Sequence, residues 1–187
     1  MKLVIVYPRY KLLVLTFIIE GGVLGVALLL AGLFKIKLLP LTTNLFRDIL
    51  LGTYFVSFPL SLFVFLLSER AEGIPLIGSL RKTIITDIKG IFSKTRFIDI
   101  CLISILAGFA EELLFRGVIQ VKLGIIATSI IFGFLHFLTP AYCIFATIMG
   151  FYIGILFYKY QSILIPIQVH VIYDFGALVY LRYFVKV

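Results

Sequence analysis

The chain has few of the residues that soluble domains place on their surfaces. Only 14% of its 187 residues are charged, with 9 acidic residues, 2 histidines, 2 cysteines and no tryptophan. A soluble domain carries about a quarter charged residues, whereas 62% of this chain is hydrophobic. The shortage of charge therefore excludes an ordinary soluble fold and indicates an integral membrane protein. Without tryptophan, any aromatic residues at the membrane interfaces must be tyrosine and phenylalanine.

The two cysteines, Cys101 and Cys143, lie in separate apolar segments with no CxxC or Cys–His spacing. Isolated apolar cysteines are most often small buried side chains, so we predict that role for both. They identify neither a disulfide framework nor a redox compartment.

The formal charge of +8 does not indicate a nucleic-acid-binding protein. The basic residues flank apolar segments instead of forming one long block, which is how positive-inside topology signals are distributed. The sequence therefore predicts the lipid bilayer as the partner of this chain, and no nucleic acid.

Six apolar runs approach or exceed the length of about 20 residues that a spanning helix needs. We predict an all-α, polytopic membrane helix bundle with about six transmembrane helices, at residues 12–34, 45–67, 97–119, 123–138, 142–158 and 163–180. A single acidic residue, Glu20, interrupts the first run, and it faces either the bundle interior or an interface.

Residues 69–96 differ from the rest of the chain because charges and glycines alternate with apolar residues. The isoleucines and Leu80 recur there at roughly helical spacing, which predicts a basic amphipathic helix on the membrane surface, with a solvated loop helix as the alternative. We accordingly divide the chain into 1–96, two transmembrane helices and this connector, and 97–187, a four-helix membrane core.

Six spans place both termini on one side of the membrane. Eleven basic residues fall on that side, namely Lys2, Arg9, Lys11, Arg70, Arg81, Lys82, Lys89, Lys94, Arg96, Arg182 and Lys186. Five fall on the other side, namely Lys35, Lys37, Arg47, Lys122 and Lys159. This asymmetry predicts that both termini are cytoplasmic.

Ionisable residues inside apolar spans are costly and usually functional. Glu112 and Arg116 are four residues apart, so they lie one above the other on a helix and are predicted to form an ion pair. The adjacent Glu111 points about 100° away from that pair. A desolvated carboxylate without a dedicated cation suits general acid–base chemistry, so we predict that Glu111 is the chemical residue.

Both histidines of the chain are in the later spans. His136 follows Phe132 by one turn on the same helix face. His170 precedes Asp174 by one turn, and a carboxylate so placed can fix the tautomer and orientation of an imidazole.

The motifs Glu-Glu-x-x-x-Arg, Phe-x-x-x-His and His-x-x-x-Asp occur in this order on successive predicted membrane helices. Together they resemble the CPBP intramembrane protease family, which includes the CAAX prenyl endopeptidases and proteins described as bacteriocin-processing or immunity factors. The shared region is often called the ABI domain, and the resemblance covers about residues 99–182. The first two spans are only generically similar.

The resemblance implies a glutamate-dependent endopeptidase that acts inside the bilayer on a membrane-embedded or lipidated peptide. By that likeness, Glu111 and His136 hold and deprotonate a water, and His170 and Asp174 stabilise the oxyanion. The supporting residues are Glu112, Arg116 and Phe132. Many relatives have asparagine where this chain has Asp174, so this aspartate must be protonated, orient His170 or bind a metal.

Several alternatives stay open at this stage. Two histidines and a carboxylate also satisfy a zinc site, for which Glu111, His136 and His170 are the candidate ligands, although we favour a mechanism without a metal or other cofactor. A non-catalytic peptide-binding or immunity protein is the second functional reading. A proton-coupled carrier is the third, since intramembrane acids and histidines also build proton relays.

Overall fold

The computed structural model describes residues 6–69 and 73–185, which contain helices and no strands. The predicted all-α helix bundle is therefore confirmed. The α-helices are α1 (Arg9–Leu33), α2 (Leu45–Phe55), α3 (Ser57–Leu67), α4 (Pro75–Thr83), α5 (Lys89–Phe92), α6 (Phe97–Leu114), α7 (Gln120–Leu135), α8 (Pro140–Tyr160) and α9 (Leu164–Tyr183).

Five helical stretches are long and apolar enough to cross a membrane, instead of the six separate ones expected. The difference arises in Phe97–Leu135, where a π-helical turn, Phe115–Ile119, joins α6 to α7 without a loop. A straight helix of that length would measure about 58 Å, nearly twice the hydrocarbon thickness of about 30 Å.

The long stretch is not straight, because Gly124 interrupts it with φ 78° and ψ 174°. Beyond this residue the chain folds back: the Phe132 ring lies 5.0 Å from the Phe115 ring, and His136 faces Glu111. Two of the predicted spans thus form the two arms of one helical hairpin. The hairpin is centred on Gly124.

One end of the bundle holds the first residues of α1 and α6 and the last residues of α9. The guanidinium of Arg9 donates to both carboxylate oxygens of Asp99, at 2.6 and 2.7 Å. Arg182 donates to the backbone carbonyl of Thr95 at 3.2 Å. We call this the terminal end, and these contacts place the start and the finish of the described chain on the same side.

The opposite end of the bundle holds the remaining connections between the long helices. The carbonyl of Leu41, before α2, accepts hydrogen bonds from the backbone N–H groups of Ile163 and Leu164 at the start of α9. Beside the hairpin turn, the ammonium of Lys122 lies 5.0 Å from the Phe34 ring at the end of α1. Successive long helices of the bundle therefore run in alternating directions.

The charge asymmetry follows these two ends, since Arg9 and Arg182 lie at the terminal end and Lys122 at the other. Lys2, Arg70 and Lys186, which contributed to the count of basic residues, lie outside the described residues. That the terminal end faces the cytoplasm stays a prediction.

Within the connector between α3 and α6, residues 75–92 are helical. Pro75 stands in the first turn, where the missing N–H of proline costs nothing. Its middle, Ile84–Ile88, is a second π-helical turn. Leu80 and Ile84 are buried and pack in one apolar cluster with Phe63 of α3 and with α9. The amphipathic pattern thus predicted the helix, and its apolar face contacts the bundle.

Small residues bring the helices of the core close together. A Cβ atom added at Gly108 of α6 would lie 2.9 Å from the backbone nitrogen of Val171 on α9. Glycine at such crossings lets two helix backbones approach closely in a membrane protein. The α6–α9 distance is therefore set by Gly108, one turn before Glu112. The division of the chain at residue 96 stays a prediction.

Candidate active site

A cavity of about 270 Å³ lies between α1, the hairpin, α8 and α9. Most of its wall is apolar, but five acidic or imidazole side chains line it: Glu20, Glu111, His136, His170 and Asp174. No lysine or arginine is among its lining residues within ranges 6–69 and 73–185. An apolar cavity with a few converging polar groups is the usual form of an active or binding site.

Glu111 and His136 face each other across the two arms of the hairpin. The carboxylate oxygen Oε2 of Glu111 lies 3.6 Å from Nε2 of His136. The other ring nitrogen, Nδ1, lies 2.9 Å from the Phe132 carbonyl oxygen, which can only accept, so Nδ1 carries the proton. Nε2 of the neutral imidazole is then a proton acceptor directed towards Glu111.

Phe132 holds the His136 ring from one side. The two rings are stacked, with centroids 4.2 Å apart and planes 28° apart. The guanidinium carbon of Arg116 lies 5.0 Å from the centre of the same phenyl ring, a distance typical of a cation–π contact. Phe132 thus connects the predicted supporting arginine to the predicted catalytic histidine.

Behind the cavity wall, Glu112 and Arg116 form a fully buried ion pair. Nε of Arg116 lies 3.1 Å from Oε2 of Glu112, and both side chains are 0% exposed. Arg116 also donates through Nη2 to the Gly150 carbonyl at 3.0 Å. The pair expected from the four-residue spacing is present, and it leaves Glu111 free to point into the cavity.

The closest partner of His170 is Glu112, not Asp174. Nδ1 of His170 lies 2.7 Å from Oε1 of Glu112, whereas its Nε2 lies 3.5 Å from Oδ2 of Asp174. The one-turn spacing in the sequence offered Asp174 as a carboxylate that can orient His170, and that role stays a prediction. The close packing of α6 on α9 brings Glu112 nearer to the ring, a contact that the sequence did not predict.

All seven residues singled out from the sequence meet around this cavity. Glu111, His136, His170, Asp174 and Phe132 line it, and Glu112 and Arg116 lie directly behind. Their catalytic and supporting roles stay predictions.

The sequence did not identify three further polar residues of the wall, Thr16, Tyr142 and Tyr173. Tyr173 could have been found from the sequence, because helical spacing places positions 170, 173, 174 and 177 on one face. All four line the cavity. No spacing in the sequence indicated Tyr142, which reaches the cavity from the first turn of α8. Glu20 faces the interior, which decides between the two orientations left open for it.

The zinc alternative requires Glu111, His136 and His170 to direct lone pairs at one point. Nδ1 of His170 is engaged by Glu112 and its Nε2 is turned towards Asp174. Within the described parts of the chain, no three acidic, imidazole or thiol groups are arranged to hold one metal ion. A mechanism without a metal stays a prediction, and so does the zinc alternative at these three residues.

Residues 93–176 match the family model described as Rce1-like, type II CAAX prenyl endopeptidase. This segment includes the hairpin and the part of α9 that carries His170 and Asp174. The resemblance to CPBP proteases is confirmed. We call residues 93–176 the Rce1-like region; the family to which it is similar is a protease family.

Among curated proteins, the chain is similar to the "Uncharacterized protein YpbD" of Bacillus subtilis (strain 168), with 36% identity over 89 residues. The aligned part covers 46% of this chain and 47% of that protein, so the match spans about half the length of the relative. No solved structure matches the chain. The Rce1-like region and the five apolar helices together indicate an integral, multi-pass membrane protein in a lipid bilayer.

Proposed function

We propose that the protein is an intramembrane endopeptidase in which Glu111 activates a water to hydrolyse a peptide bond. One observation carries this proposal: Oε2 of Glu111 and Nε2 of His136 face each other at a distance of 3.6 Å. Oε2 is buried and has no hydrogen-bond partner among the described residues. A buried carboxylate oxygen is rarely left without a partner, and a water between these two acceptors would supply one.

A water in that position donates its two hydrogens to Glu111 and His136. Its oxygen lone pair then points away from both groups and towards a substrate carbonyl. General-base catalysis needs the base within hydrogen-bond reach of the proton that it removes. Glu111 takes the proton as the carbon–oxygen bond forms, and later delivers it to the amine that leaves.

The oxyanion that develops on the substrate needs a donor. Glu112 accepts from Nδ1 of His170, so Nε2 is the nitrogen available to donate when the ring is protonated. An ionised Asp174 would repel an oxyanion, and its 3.5 Å separation from Nε2 suits the stabilisation of a His170 imidazolium. We therefore assign the oxyanion contact to His170 and a supporting role to Asp174.

The wall of the cavity favours an apolar substrate segment. Phenylalanine, isoleucine, leucine and alanine side chains from α3, α6, α8, α9 and the connector surround the ionisable groups. Such a lining accommodates the hydrophobic part of a membrane-embedded, lipidated or leader peptide. The substrate proposed is therefore a peptide that reaches the site from the bilayer, and the mechanism needs no cofactor.

The test is cleavage of a panel of membrane-anchored and leader-like peptides by the full chain in liposomes, with products located by mass spectrometry. Glu111→Gln keeps the shape of the side chain and removes the base, so we expect a loss of about 10²–10⁴-fold. Glu69→Gln, an exposed carboxylate outside the cavity, is the matched control. Cleavage by Glu111→Gln at the wild-type rate would exclude this mechanism.

A further inference from the structure

Glu20 brings an ionisable group to the cavity from outside the Rce1-like region. It lies in the middle of α1, which packs along α6, and it lines the same cavity as Glu111 and Asp174. Its Oε2 is buried and has no hydrogen-bond partner among the described residues. The proposed mechanism does not use this carboxylate.

The other ionisable groups of the site each face another group within it. Glu112 is paired with Arg116, and Glu111 faces the neutral ring of His136. His170 lies between two carboxylates, those of Glu112 and Asp174.

Glu20 has no lysine or arginine beside it, because none lines the cavity in residues 6–69 and 73–185, and the His170 ring of the same cavity is already held by Glu112 and Asp174. A carboxylate removed from water is stabilised by a cation that reaches it, and a second anion there is repelled. The apolar wall strengthens both effects, because charges interact more strongly where water is excluded. The space beside Glu20 therefore favours a basic group and disfavours an acidic one.

We propose that Glu20 is a specificity-determining residue that binds a basic side chain, such as lysine, of the substrate peptide close to the cleaved bond. This inference rests on the proposed function, because only a peptide held at Glu111 would bring such a side chain to Glu20. It defines the substrate class as apolar peptides with a basic residue next to the cleavage site. An acidic residue at the same position is rejected.

A binding experiment tests the cation site without requiring proteolysis. The probes are n-hexylammonium and its neutral counterpart 1-hexanol, added to the full chain in nanodiscs while its melting temperature is measured. We expect hexylammonium to stabilise the wild-type protein at concentrations at least about tenfold lower than hexanol. This difference should disappear in Glu20→Gln and persist in Glu20→Asp and Glu69→Gln. Equal effects of the two probes on the wild type, or a preference that survives in Glu20→Gln, would overturn the inference.

A cleavage experiment tests the substrate class. N-acetylated peptides carry lysine, norleucine or glutamate at one position, scanned on either side of the cleaved bond. We expect the wild type to favour lysine over norleucine at least about tenfold in kcat/KM, mainly through KM, because the contact forms on binding. Glu20→Gln should lose this preference, and Glu20→Lys should prefer glutamate.

The two experiments separate the two proposals. Cleavage of the norleucine peptide with no advantage for lysine would overturn the inference about Glu20 and leave the endopeptidase intact. Glu20-dependent binding of hexylammonium with no peptide cleaved would overturn the endopeptidase and leave the cation site.

Discussion

His170 and Glu112 lie 58 positions apart in the sequence, yet Nδ1 of the imidazole is 2.7 Å from Oε1 of the carboxylate. Glu112 can only accept, so this contact fixes the proton on Nδ1 and turns Nε2 towards the cavity. The same carboxylate pairs with Arg116 through its other oxygen. Glu112 thus couples the buried ion pair to the wall of the proposed active site.

Replacing Glu112 with glutamine should destabilise the protein and reduce cleavage. Arg116 would remain buried without a charged partner, which typically costs about 3–5 kcal/mol. SDS-induced unfolding in mixed micelles measures this cost.

The double variant Glu112→Gln/Arg116→Met controls for the charge of Arg116. It should recover much of the stability, because no unpaired cation is left, but not the activity, because an amide oxygen can still accept from Nδ1 but lacks the negative charge that stabilises a protonated His170. A double variant no more stable than Glu112→Gln alone would show that the ion pair is not the cause.

Gly108→Ala should disturb the site from one helical turn away. The added Cβ would lie 2.9 Å from the backbone nitrogen of Val171, so α6 and α9 must separate and the contact between Glu112 and His170 must lengthen. We expect loss of peptide cleavage together with a lower melting temperature. Val171→Ala in the same background removes the nearest obstructing atom, Cγ2 at 2.6 Å, but should not restore activity fully, because the backbone nitrogen at 2.9 Å stays in place.

Gly124→Ala should destabilise the hairpin turn. Its φ of 78° and ψ of 174° lie in a region used almost only by glycine, and strain of this kind costs about 1–3 kcal/mol. Gly25→Ala is the matched control, since nothing lies within 4 Å of a Cβ atom at that helical position. Unfolding in SDS should distinguish the two, with the control unchanged or slightly more stable. Equal effects of the two substitutions would contradict the hairpin turn.

The terminal end should face the cytoplasm. A fluorescent protein fused after residue 187 should therefore fold and fluoresce in bacterial cells, while alkaline phosphatase at that point should stay inactive. Insertion between residues 36 and 42, at the opposite end of the bundle, should give the reverse pattern. The reverse result at both sites would invert the topology drawn from the positive charges.

The positions of the apolar helices could largely be predicted from the sequence, because long apolar runs are local features. The boundary between the third and fourth runs could not. Helical hydrogen bonding continues through residues 115–123, and only the backbone of Gly124 turns the chain. A glycine in an apolar run carries no unique signal for a hairpin, since Gly21, Gly22 and Gly25 lie in α1, where helical hydrogen bonding is continuous.

The candidate site, like the fold, could be predicted from the sequence only in part. Sequence spacing alone determined the pairs that lie one turn apart on one helix, Glu112 with Arg116 and Phe132 with His136, because helical periodicity fixes which side chains are neighbours. Tertiary packing decided that Glu112 contacts His170 and that Glu20 of α1 lines the cavity. Those contacts depend on how closely α1 and α9 pack against α6, and such distances are set by glycines and side-chain volumes on facing helices. No periodicity within one segment encodes them.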